Sequence, residues 1–158
     1  MNTSENKVIS LRLWEESEYF KLGEFLCKLI PVSAQPSWFV NLLSIVLLDK
    51  ERVGPIDSLI KITQDESRWH ESSEVFDSLR KQTLICEQSD SDNYRKIGIL
   101  HLAENIAKVT FNSSNSEQAK FDFDSGYWVP QCVKYIIDHS EDEKLNSTLI
   151  EYLINPKF

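Results

Sequence analysis

The segment from Pro36 to Arg52 constrains this chain more than any other. Trp38, Phe39, Val40, Leu42, Leu43, Ile45, Val46, Leu47 and Leu48 place apolar side chains around nearly the whole circumference of a helix. A helix that is apolar all round offers no face to water and must be wrapped by other elements. Pro36 lies in its first turn and Gly54-Pro55 follows its end, the usual punctuation of a helix. Asp49, Lys50, Glu51 and Arg52 make its end too charged, and the run is too short, for a bilayer span. The expectation is an all-α, single-domain bundle of six or seven helices around a buried central helix at about 36–52.

The breakers agree, because 4 Gly and 5 Pro in 158 residues are too few for a fold of many tight turns. Apolar residues recur at helical spacing in 15–30, which Pro31 ends, and again in 56–62, 73–85, 93–111 and 142–154. Asp92 is placed to cap the helix at 93–111, and Asp124 or Ser125 to cap another that carries Trp128, Cys132, Val133, Ile136 and Ile137. Residues 112–120, rich in Ser, Asn and Gln, read as a loop. Residues 1–7 read as a flexible polar tail and 8–158 as one helical domain. Within 8–14, Ile9, Leu11 and Leu13 alternate with Ser10 and Arg12, which leaves strand and helix open.

The formal charge of −8 opposes attachment to nucleic acid or to an anionic bilayer, and is compatible with a basic protein partner. Cys27, Cys86 and Cys132 are odd in number, far apart and set in apolar runs, so they read as buried thiols in a reducing compartment. With no secretory leader visible at Met1, a cytoplasmic address is expected, and the sequons at Asn2, Asn112 and Asn146 are then chance matches.

The polar arc of the 93–111 helix gathers His101, Glu104, Asn105 and Lys108. Imidazole and carboxylate on one helical face are what an acid/base or metal site needs, with His70 or His139 as further contributors. The competing reading is a solvated face carrying one Glu104–Lys108 pair. The order His-x-x-Glu has no second copy, and no His-x-x-x-His or Cys-x-x-Cys is present, so neither a metal nor a cofactor is expected. There is no Gly-x-Ser-x-Gly elbow, and the isolated Gly23, Gly54, Gly98 and Gly126 cannot build a phosphate loop.

The most unusual composition lies in 121–128, where four aromatics alternate with two carboxylates. Phe121, Asp122, Phe123, Asp124 and Tyr127 form a candidate recognition surface, with Trp69 as a second anchor. Against this stands a purely architectural reading. Asp124 would cap the following helix, Phe121, Phe123 and Trp128 would fasten the segment to the core, and Trp69 would fold inward. The preferred expectation is a non-catalytic intracellular protein-binding domain, an adaptor or a toxin-neutralising immunity-type protein. The alternative is a small helical enzyme or metal-binding protein using His101 and Glu104, and a helical ligand pocket is a third possibility.

Overall fold

The computed structural model describes residues 3–52, 54–118 and 120–158. Among them the chain forms eight α-helices and no strand: α1 (Thr3–Glu15), α2 (Tyr19–Leu29), α3 (Gln35–Val46), α4 (Gly54–Thr63), α5 (Ser72–Ser89), α6 (Tyr94–Asn112), α7 (Val129–Asp138) and α8 (Glu143–Ile154). The all-α bundle anticipated from periodicity is the observed fold, with one helix more than the expected upper count.

The additional helix is α1. It takes in residues 8–14 and most of the expected tail at 1–7, which is helical from Thr3 onward; residues 1 and 2, with the Asn2 sequon, lie outside the described residues. Its fully buried positions are polar, Asn6 and Ser10 being buried one turn apart while Val8 is 67% exposed. Lys7 Nζ pairs with Glu151 Oε1 of α8 at 3.0 Å across the same contact. Apolar contact comes only near its end, where Leu13 and Trp14 pack on the core, so its first turns carry no apolar 3.6-residue signal.

Helix α3 is buried on most of its circumference but stops at Val46, short of the expected Arg52. The reason is a partner from far along the chain. Arg95 Nη2 donates to the Val46 carbonyl at 2.6 Å and Arg95 Nη1 pairs with Glu51 Oε2 at 3.0 Å. A carbonyl left over at the helix end is thereby satisfied. Leu47 turns extended, and Asp49–Glu51 forms a short turn.

The hub is shared between α3 and α6, since α6 packs on α3, α4, α5 and α7. Leu100, Leu102, Ala103, Ile106 and Ala107 are buried to 1% exposure or less on several sides of α6. A methyl group on Gly98 would lie 2.8 Å from the Tyr135 ring and 2.9 Å from Ile136, so this glycine is what admits α7. Asn93, rather than the expected Asp92, caps α6, its Oδ1 accepting from Lys96 N at 3.2 Å.

Among the described residues no single helix is long and apolar enough to cross a membrane. The apolar stretch Tyr19–Leu29 with Val32–Val46 is bent by 107° after Pro31, because a proline excludes the helical conformation from the residue before it.

Candidate functional site

The 121–128 segment is fastened by three devices. Asn112, the last residue of α6, acts as a side-chain clasp: its Oδ1 accepts from Phe121 N at 2.7 Å, and its Nδ2 donates to the Phe121 and Asp122 carbonyls at 3.1 and 3.3 Å. Ser125 Oγ donates to the Asp122 carbonyl at 2.7 Å, closing a turn that leads into the short helix Ser125–Trp128. Third, Gly23 of α2 lies against the Tyr127 main chain, where a methyl group would sit 2.5 Å from the Tyr127 carbonyl carbon and Cα. Gly126 faces inward, where a methyl would meet Cys27 Sγ at 2.6 Å and Val109 at 3.2 Å.

This anchoring sorts the aromatic residues into two sets. Phe121 turns inward, edge-on to Phe76 and Phe111 at centroid distances of 4.9 and 5.6 Å, and does the fastening. Phe123 points out at 84% exposure, with Tyr127 edge-on at 6.0 Å. Trp128 is 46% exposed and packs on Phe20 of α2 at 4.8 Å, and Phe20 also meets Tyr127 at 5.4 Å. Phe20, Phe123, Tyr127 and Trp128 therefore form one continuous aromatic face. Phe20 is the member that periodicity assigns to the core; its half-exposure becomes visible only once α2 is placed against Tyr127.

The carboxylates of this segment remain available. Asp124 does not cap the following helix, because no backbone N–H reaches its side chain; Trp128 takes the N-cap position of α7 instead. Neither Asp122 nor Asp124 has an ion pair among the described residues. Trp69 does not belong to the surface. It is 3% exposed, and its Nε1 donates to the Thr63 carbonyl at 3.2 Å, so its indole is part of the core.

The polar arc of α6 also differs from the expected solvated face. Glu104 is buried between α5 and α6, with Thr83 Oγ1 at 2.7 Å, Arg80 Nη1 at 3.6 Å and His101 Nδ1 at 3.6 Å. The other nitrogen of His101 lies 3.5 Å from Glu87 Oε1 on α5. The expected Glu104–Lys108 pair is replaced by these cross-helix contacts, and Lys108 Nζ sits over the Phe76 ring at 5.0 Å. His70 lines a polar cleft with Glu66 and Ser114, while His139 packs between the Tyr94 and Tyr135 rings, so the three imidazoles do not converge.

A cleft of about 310 Å³ between α6 and α7 brings His101 and Cys132 together. Asn105 Nδ2 donates to Cys132 Sγ at 3.6 Å, yet burial pushes this thiol up to about 12, and burial does the same to Cys27. Both nitrogens of His101 face carboxylates, so the thiol is not activated. A consequence for stability follows. The unfolded thiols ionise near their ordinary value of 9.0 while the folded ones hold their protons to about 12. These two groups leave stability untouched at lower pH and reduce it as pH rises from about 9 towards about 12. Urea midpoints measured from neutral pH to pH 10.5 should fall more steeply in the natural chain than in a Cys27→Ser, Cys132→Ser variant; equal slopes would contradict this.

No protein-family model, curated protein or solved structure matches this chain.

Proposed function

We propose that this chain is a non-catalytic protein-binding domain, of adaptor or immunity type, whose recognition surface is the aromatic face of Phe20, Phe123, Tyr127 and Trp128 bordered by Asp122 and Asp124. The observation that carries the reading is a run of ring contacts from Trp128 through Phe20 of α2 and Tyr127 to Phe123, of which Phe20, Phe123 and Trp128 are exposed and all but Phe20 lie on a segment that the fold holds firmly. Large aromatic side chains left in water as one contiguous group mark interaction surfaces, whereas scattered exposed apolar residues do not. Unpaired carboxylates beside them favour a partner with a basic contact region. The acid/base or metal reading of His101 and Glu104 draws less support, because Thr83 and Arg80 already engage the Glu104 carboxylate from α5.

Affinity purification from the native host, with bound proteins identified by mass spectrometry, tests the proposal. The natural chain should retain a partner that is lost from Phe123→Ala, Trp128→Ala and from Asp122→Lys, Asp124→Lys, both variants remaining helical by circular dichroism. Recovery of the same proteins by all three would remove this face from consideration.

A further inference from the structure

Between α1 and α2 the sequence carries no helix breaker: residues 16–18 are Glu-Ser-Glu, and apolar spacing reads 15–30 as one unbroken helix. The chain nevertheless turns there. Ser17 N donates to the Trp14 carbonyl at 3.1 Å and Glu18 N to the Leu13 carbonyl at 2.9 Å, the paired bonds that close a helix around a left-handed residue. Ser17 is that residue, with φ of 59°, and among the described residues it is the only non-glycine residue with a positive φ. Glycine usually fills such a position, because a Cβ is crowded in it. Glu18, at the N-cap of α2, lends no side chain to the free amides of the first turn.

The turn is therefore imposed by the docking of α1 on α2 and α8 rather than by its own residues. That docking is poor in polar bonds. Asn6 Oδ1 and Ser10 Oγ are buried without a hydrogen-bond partner among the described residues, which costs free energy for each atom. The Lys7–Glu151 pair lies at the surface, and apolar packing is confined to Leu13 and Trp14 beside the turn. None of these contacts depends on α1 belonging to the same molecule as the α2 and α8 that receive it.

We propose that α1 is an exchangeable arm whose partner is a second copy of this chain. Ser17 takes up the helical conformation, α1 and α2 become one helix of about 40 Å from Thr3 to Leu29, and each copy's α1 docks on α2 and α8 of the other. The docking contacts are remade between copies, Lys7 with Glu151 included, so the balance is decided at the hinge. There the crowded φ of Ser17 is released, and the first amides of α2 gain the carbonyls of residues 15–17 as acceptors. In the joined helix Arg12 lies three and four residues before Glu15 and Glu16, which offsets the repulsion between Glu15 and Glu18. A short hinge under strain is the usual setting for such an exchange.

Sedimentation analysis over a concentration series, on the natural chain and on Ser17→Ala and Ser17→Gly, tests it. Ser17 is exposed, so neither change touches the core. Alanine favours the joined helix and glycine the left-handed turn, and a dimer contains two hinges. Its dissociation constant should be lower in Ser17→Ala than in Ser17→Gly by about a hundredfold or more, with the natural chain between. Exchange itself is read by mixing Lys7→Glu with Glu151→Lys after joint refolding. Each variant alone sets like charges against one another at the α1–α8 contact, whether closed or exchanged. Opposite pairs are restored only when the arm of one variant sits on α8 of the other, so the dimer fraction of the mixture should exceed that of either variant by about threefold or more. If the alanine and glycine variants are equally monomeric up to millimolar concentration, or dimerise equally, the hinge does not control association and the proposal is wrong. If dimers follow the hinge but mixing gives no excess, the copies meet elsewhere and the exchange of α1 is wrong.

Discussion

Gly23→Ala is expected to destabilise the domain by about 3 kcal/mol, a large part of the stability of a chain this size. The added methyl would fall within the contact distance of the Tyr127 carbonyl carbon and Cα, at 2.5 Å from each. These are main-chain atoms, so no rotamer change relieves the overlap, and either α2 or the turn before α7 must shift as a unit. Shifting α2 disturbs Leu22 and Leu26, both at 0% exposure; shifting the turn disturbs Val129, equally buried. Helix propensity alone favours alanine over glycine inside a helix by about 1 kcal/mol, so the sign of the result separates the two effects. Urea denaturation measures it, and a variant as stable as the natural chain would mean that the close approach is not present in solution.

Thr83→Val should cost about 2–3 kcal/mol despite conserving shape. Thr83 Oγ1 lies 2.7 Å from Glu104 Oε2 and 3.0 Å from the Leu79 carbonyl, and the hydroxyl has one hydrogen to give. The carboxylate is the stronger acceptor and takes it. Both residues are buried, Thr83 at 0% and Glu104 at 6% exposure, so water does not readily replace the lost donor. Converting both residues in Thr83→Val, Glu104→Leu should recover most of the loss, because an apolar pair of similar volume removes the desolvated charge altogether. The remaining partners, Arg80 and His101, are 45% and 40% exposed and return to solvent. A double variant less stable than the single one would show that the carboxylate stabilises the α5–α6 contact outright.

The contrast between these residues indicates what a sequence of this kind discloses. Elements buried by apolar periodicity were legible: the interiors of α3 and α6, the stop at Pro31 and the extent of α8, whose capping by Asp142 Oδ1, 3.0 Å from Leu145 N, was not anticipated. Features that depend on a second element were not. Glu104 sits on the polar arc of α6, and only the Thr83 and Arg80 side chains of α5 turn that arc into a buried interface. Arg95 ends α3 from 49 residues away. The helix α1 buries Asn6 and Ser10, which pattern counting assigns to solvent, beside Leu13 and Trp14. Of the candidate recognition residues, Phe123 and Asp122 lie at the surface as the composition suggested, while Phe121 and Trp69 were taken inward by Phe76 and by the Thr63 carbonyl. Three of the glycines prove to be points of close packing, Gly23 against the Tyr127 main chain and Gly98 and Gly126 against side chains of neighbouring elements.

The clasp of Asn112 and the contact at Gly23 have a kinetic corollary for the proposed recognition surface. A surface loop ordinarily gives up its conformational freedom at the moment of capture, which weakens the complex. Here that freedom is relinquished during folding, so the chain presents a rigid template. On the recognition surface proposed above, encounter would then proceed as simple docking, with ligands of differing strength distinguished chiefly by residence time.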